Sequence, residues 1–161
     1  METKDPKAAF HWIIGILQKH KVPFQIEGGL AARAYGSKRE LADIDIVFPD
    51  DRFDELLPEL KKYITFGPAR DKDEAWAYTL MTLEHSGQKI DIAGSSGQEY
   101  FDKTRKQWIP YSSDFSDCEY REIYGLKVPV ISKKKLIAYK MKLGREVDLE
   151  DIQFLTGKDV K

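Results

Sequence analysis

The sequence predicts an α/β chain, more closely an α+β one, with a small mixed β-sheet flanked by helices. Three observations predict it. Helical three-four apolar spacing alternates with short apolar runs in the first sixty residues, and hairpin patterns and then further helical spacing follow. Of the 161 residues, 42% are hydrophobic and 33% charged, which is the balance of a globular protein that buries a core. No repeat, low-complexity tract or linker divides the chain, so residues 1–161 are expected to form one domain.

The elements follow in order. Residues Pro6 to His20 place Ala9, Trp12, Ile13, Ile16 and Leu17 on one helical face, with Pro6 suited to the first turn. Val22 to Ile26 reads as a strand stopped by Gly28-Gly29, and Leu30 to Tyr35 as a helix ended by Gly36. Asp43 to Phe48 is a second strand. Pro49-Asp50-Asp51 then caps a helix whose inner stripe is Phe53, Leu56, Leu57 and Leu60. Trp76 to Leu83 alternates as a strand, turns at His85-Ser86-Gly87-Gln88, and returns through Lys89 to Ala93. Residues 94–108 are expected to be a loop with a short helix. Glu119 to Tyr124 and Leu126 to Ile131 form a hairpin about Gly125. Ser132 opens a helix that Gly144 stops, and a last helix covers Leu149 to Leu155.

The bulk properties exclude several classes. A formal net charge of −1 gives no global attraction to nucleic acid or to an anionic membrane. Cys118 is the only cysteine, which rules out an internal disulfide and a multi-cysteine zinc site and fits a reducing, cytoplasmic setting. The first twenty residues carry Asp5 and no long apolar stretch, so no signal peptide is expected. No run approaches the roughly 20 apolar residues of a membrane helix.

Chemistry concentrates in three acids. Strand residues two apart share a face, with alpha carbons roughly 6.6 Å apart, so Asp43 and Asp45 project together. Ile44 and Ile46 go to the other side. Two neighbouring carboxylates in an apolar strand repel, and burial raises the cost. A divalent cation turns that repulsion into attraction, and hard oxygen ligands suit magnesium. Asp91 lies in a similar apolar strand and would complete a three-carboxylate set. Such a set can hold two metal ions about 3.5–4 Å apart, which clamp both sides of an in-line phosphoryl displacement. Gly28 and Gly29 sit at a strand-to-helix junction where a ligand can approach the backbone. Each feature alone is commonplace; their conjunction, in this order and spacing, is not.

Gly28-Gly29, thirteen intervening residues, Asp43-Ile44-Asp45 and the later Asp91 resemble the signature of the minimal nucleotidyltransferase superfamily. The Gly-Gly branch, with its lincosamide nucleotidyltransferases and AbiEii-type toxin group, is the most similar. The resemblance covers a catalytic core at 7–93, and the C-terminal hairpin and helices at 119–155 include "LIAYKMKLGREVDLEDIQFL", similar to a Lys-x(3,4)-Gly-Arg-x-x-Asp-x-x-Asp helix end. It implies the nucleotidyltransferase fold and transfer of a nucleoside monophosphate from a nucleoside triphosphate (NTP) to a hydroxyl, with release of pyrophosphate. It further implies that Asp43 and Asp45 bind two Mg2+ (or Mn2+) ions, with Asp91 as a further ligand and general base. Gly28 and Gly29 would face the triphosphate, Lys140 would reach a phosphate, and Arg145 and Asp148 would shape the site or pair with each other. The commoner Gly-Ser form carries a hydroxyl that Gly29 lacks. The implied acceptor is a small molecule such as an antibiotic, a tRNA end or a protein hydroxyl, and a homodimer or partner chain would complete so small a core. A non-catalytic nucleotide-binding or toxin–antitoxin module on this fold is the alternative, against which the three acids argue.

Other residues stay open. Lys38 and Arg39 precede the acids and either meet the phosphates or form a solvated loop beside Glu40. Lys133, Lys134 and Lys135 begin a helix against its dipole, either for an anionic partner or as an exposed turn. Trp76, Tyr78, Trp108 and Tyr111 are candidates to stack on a base or acceptor ring, although most aromatics are core. His11, His20 and His85 show no partner pattern.

Overall fold

The computed structural model describes residues 3–157. Its elements are α1 (Pro6–Lys19), β1 (Gln25–Glu27), α2 (Gly28–Ala34), β2 (Ile44–Phe48), α3 (Phe53–Leu60), β3 (Ile64–Lys72), β4 (Trp76–His85), β5 (Gln88–Gly94), β6 (Gln98–Asp102), β7 (Gln107–Tyr111), β8 (Cys118–Ile123), β9 (Leu126–Ile131), α4 (Lys133–Leu143) and α5 (Glu146–Thr156). The strands form one nine-stranded sheet in the order β7-β6-β4-β5-β2-β1-β9-β8, with β3 paired to β4. Most pairings are antiparallel. The two parallel ones, β2 with β5 and β1 with β9, lie near the centre. This is the expected mixed α+β architecture, with a wider sheet than the sequence foretold.

Local chemistry explains the element ends. The Asp5 side chain accepts from the Ala8 N–H at 3.0 Å and caps α1, with Pro6 at its first position. The Ser132 hydroxyl caps α4 by accepting from Lys135 N–H, and Gly144 ends that helix in the left-handed region at φ 60°. α5 starts three residues before the expected Leu149, because the Asp148 carboxylate accepts from the Arg145 N–H and closes the first turn. Two differences are larger. The expected loop with a short helix is the β6–β7 hairpin, and β3 arises where no strand was foreseen.

The centre of the sheet separates two rows of side chains. Ile26, Ile46, Ile92 and Met81 align across β1, β2, β5 and β4, and all are buried at 0–1% exposure. They pack in one core with Phe10, Ile13, Ile14 and Leu17 of α1 and Leu56 and Leu60 of α3. Each such side chain contributes roughly 1.5–3 kcal/mol by leaving water. One residue along each strand the side chains point to the opposite face. There the aligned set is Glu27, Asp45, Asp91 and Thr82. The pleat that fills the core with isoleucine therefore lines up three acids behind it.

Candidate active site

The register places Asp45 of β2 directly beside Asp91 of β5, and Asp43 stands just before β2 begins. One carboxylate oxygen from each of Asp43, Asp45 and Asp91 lies within 4.8 Å of the others. They open onto a cleft of about 340 Å³ whose walls include Gly28, Gly29, Arg39, Trp76, Tyr78, Lys89, Tyr139, Lys140 and Arg145. Thr82 Oγ1 donates to Asp91 Oδ1 at 2.7 Å and fixes that carboxylate, leaving Oδ2 toward Lys89 Nζ at 3.6 Å. Lys89 also stands 3.9 Å from Asp43 Oδ2, but its side chain is 53% exposed, so its charge is largely screened by solvent.

The electrostatics follow from this crowding. Loss of solvation within the packed site, then the neighbouring Asp91 and Asp43, push the Asp45 carboxyl up to about 8. Desolvation also raises Asp91, against the opposing pull of Thr82 and Lys89. Three hard oxygen donors within reach of one another, short of positive charge, fit a divalent cation of the magnesium or manganese kind.

The glycine pair also makes room within the site itself. Gly28 adopts φ +63°, and a β-carbon there would stand 2.3 Å from Asp45 Oδ2. At Gly29 a β-carbon would stand 2.9 Å from Arg39 Nη2. The pair leaves room for the site's own side chains. Gly28 N–H donates to the Tyr139 hydroxyl at 3.0 Å.

Beneath the cleft lies a second set of charges. Asp148 and Asp151 of α5 are fully buried at 0% exposure, and Lys140 of α4 is buried at 2%. Lys140 Nζ lies 3.1 Å from Asp148 Oδ1 and 3.0 Å from Asp151 Oδ2. The ammonium expected to reach a phosphate is thus held by two carboxylates, although Lys140 still borders the cleft. Arg145 and Asp148 do pair, with Nε donating to Oδ2 at 2.7 Å. Arg39 donates from Nε and Nη2 to the two oxygens of Asp151, at 3.0 and 2.8 Å.

Of the aromatic candidates, Trp76 and Tyr78 line the cleft, their rings nearly parallel at 6.0 Å. Tyr111 packs against Trp76 and Tyr139, whereas Trp108 packs on Phe101 under Lys72. Lys38 is exposed, and Lys135 donates to the Ser112 carbonyl. His11 meets the Tyr124 carbonyl, His20 meets Glu59, and His85 stacks on Trp12. Glu27 escaped the sequence reading. It lines the cleft, accepts from Ser113 Oγ at 2.9 Å, and is pushed up to about 7 by burial despite that hydrogen bond. Its only sequence signal was an acid ending a buried strand.

This mixed sheet, with Asp45 and Asp91 paired on its central strands beside Gly28-Gly29, is a nucleotidyltransferase fold. The chain belongs to the aminoglycoside-2''-adenylyltransferase family, whose model matches residues 9–155. Solved structures share the fold. TM1012 of Thermotoga maritima, by description a nucleotidyltransferase, is 21% identical with a TM-score of 0.70, over 94% of each chain. The lincosamide antibiotic adenylyltransferase LnuA, solved with lincomycin, is 18% identical with a TM-score of 0.63, over 96% of this chain and 98% of its own. ANT(2")-Ia, solved with adenylyl-2"-tobramycin, is 18% identical with a TM-score of 0.61, over 94% and 87%. No curated protein sequence matches the chain. Among the described residues no helix is long and apolar enough to cross a membrane.

Proposed function

We propose that this enzyme moves a nucleoside monophosphate from an NTP to a hydroxyl of a small-molecule acceptor, releasing pyrophosphate, in a metal-dependent reaction. The observation that carries the reading is the convergence of Asp43, Asp45 and Asp91 within 4.8 Å at an open cleft. Asp43, Asp45 and Asp91 would hold the magnesium or manganese, two ions in the full reading. When bound, such ions screen the triphosphate and stabilise the charge that builds during transfer.

The chain's own groups supply the rest. Asp91, anchored through Oδ1 by Thr82, has Oδ2 available to take the proton from the acceptor hydroxyl. Its raised affinity for protons suits a general base. The acceptor oxygen then bonds to the α-phosphorus as the bond to the bridging oxygen breaks, and pyrophosphate carries away the electron pair. Arg39, beside Gly29, faces the triphosphate with the donors that Asp151 leaves unused. The bulk of the NTP rests against the backbone of Gly28 and Gly29. Trp76 and Tyr78 offer flat surfaces to a base or an acceptor ring. The adenylyl group and the antibiotic ligands named for LnuA and ANT(2")-Ia make ATP and hydroxylated antibiotics the first compounds to try.

A panel of NTPs with magnesium and candidate acceptors, read as pyrophosphate release and labelled product, tests the proposal. Wild-type protein is expected to transfer from at least one NTP. Asp91→Ala is expected to bind that NTP and lose transfer by about 10²–10⁴-fold, the usual contribution of a general base. A wild-type chain that binds no NTP at millimolar magnesium would contradict the reading.

A further inference from the structure

We infer that Asp151 is a positioning residue of the nucleotide site, holding the Arg39 guanidinium at the cleft wall beside Gly29. The inference rests on the proposed reading of that cleft as the place where triphosphate binds. Asp151 lies on α5, 112 residues beyond Arg39 in sequence, yet it occupies both Nε and Nη2 of the fork. A bidentate pair fixes the plane of a guanidinium as well as its place. Among the described residues two of its five N–H donors are used, and the others remain for a ligand.

Asp151 is held more firmly than docking of a helix requires. It is fully buried and takes four donors: Arg39 Nε and Nη2, Ser37 Oγ at 2.8 Å, and Lys140 Nζ at 3.0 Å. Ser37 Oγ in turn accepts from Arg39 N–H at 3.2 Å, so backbone and side chain of the arginine are tied to the same carboxylate. The Arg33 side chain donates to the Arg39 carbonyl at 2.6 Å from the other side. Gly29 completes the device, since a β-carbon there would stand 2.9 Å from Arg39 Nη2.

The charge balance gives the arrangement a direction. Arg39, Lys140 and Arg145 bring three positive charges to Asp148 and Asp151, leaving one in excess beside the cleft. Asp43, Asp45 and Asp91 line the same cleft, with Asp45 against Gly28 and Arg39 against the adjacent Gly29. A polyanion bridged by cations to the acids would meet a fixed cation in the same cleft. Lys140 thus contributes from beneath by holding Asp151, without needing to touch a phosphate.

Steady-state kinetics on Asp151→Asn, Arg39→Lys and the double variant test this. Asp151→Asn keeps the shape but drops the charge that orients the fork. Its KM for NTP is expected to rise roughly 10–100-fold, the scale of a misplaced binding group, with kcat changed by no more than about threefold. Arg39→Lys should match it, because an ammonium cannot span both oxygens. The double variant should be no worse than the single ones, since both remove one unit. Asp151→Glu, which restores the charge, should recover part of the KM. If Asp151→Asn fails to fold, Arg39→Lys on the half-buried loop carries the same test. Variants that lower the melting temperature or the active fraction but keep wild-type KM would overturn the inference and leave the proposed function standing. A wild-type protein that binds no triphosphate would overturn both.

Discussion

The cleft and the layer beneath it treat buried acid in opposite ways. At β2 and β5, Asp43, Asp45 and Asp91 crowd together, and the cation within 4 Å of them among the described residues is the exposed Lys89. Under the cleft, Asp148 and Asp151 are more deeply buried, yet Lys140, Arg39 and Arg145 hold them in direct ion pairs. The acidity of the groups records the difference. Asp45 is pushed up to about 8 by desolvation and its acidic neighbours. Asp151, which burial would also raise, is brought below its ordinary value by Arg39, Lys140 and Ser37. A protein can satisfy a buried carboxylate with its own cations when the role is architectural. Crowding three with so little compensating charge costs stability, and that cost makes sense when the cation arrives from solution.

The comparison can be broken by one type of substitution in two places. Asp148→Asn removes one partner from a buried cluster, leaving Arg145 beside a neutral amide and Lys140 with Asp151 alone. Breaking a buried pair from one side costs about 3–5 kcal/mol. A fall in Tm on the order of 10 °C is expected by calorimetry for a chain of this size. A fall of only a degree or two would mean that the cluster is more solvated than its burial implies.

Asp45→Asn should move the other way. In metal-free protein at neutral pH it removes the cost of keeping a crowded, desolvated carboxyl protonated, and Tm is expected to rise by roughly 2–4 °C, about 1 kcal/mol. The sign extends to pH. Folded Asp45 keeps its proton to about 8, while the unfolded chain releases it near 3.8. Stability from this group is therefore fully present below about 4 and is lost as pH climbs toward 8. Asp151 is opposite in sign, stabilising above the ordinary carboxylate range and losing that contribution as pH falls. Melting curves of chelated wild type and Asp45→Asn from pH 4 to 8 should diverge as pH rises. Parallel curves would mean that the three acids do not burden the fold.

The two regions also differed in how far they could be read from the chain. Asp43, Asp45 and Asp91 were legible because strand alternation is local, so acids among isoleucines stand out in a period of two. The register that sets Asp45 beside Asp91 is a pairing of distant segments and was only a supposition until the sheet was in view. The lower layer depends wholly on such distant contacts. Nothing local links Arg39 to Asp151, and Lys140 could not be assigned to a phosphate or to a carboxylate by spacing alone. Strand β3 was hidden by Gly67-Pro68 and by its many exposed residues, which blur alternation. In the β6–β7 hairpin, the charged turn at Lys103–Lys106 hid the two strands that flank it. Gly28 and Gly29 were recognised, but their neighbours were not: the space they leave belongs to Asp45 and Arg39.

The central claim is that the three crowded acids form a cation site, and a metal titration of stability tests it most directly. Chelated wild-type protein is titrated with manganese or magnesium, with and without ATP, while Tm is followed. Stability is expected to rise logarithmically with metal, by roughly 2.7 kcal/mol at a hundredfold excess over the dissociation constant. The gain should vanish in Asp43→Asn and Asp45→Asn and persist in Arg39→Lys. No rise at millimolar metal, or an equal rise in the aspartate variants, would contradict the account.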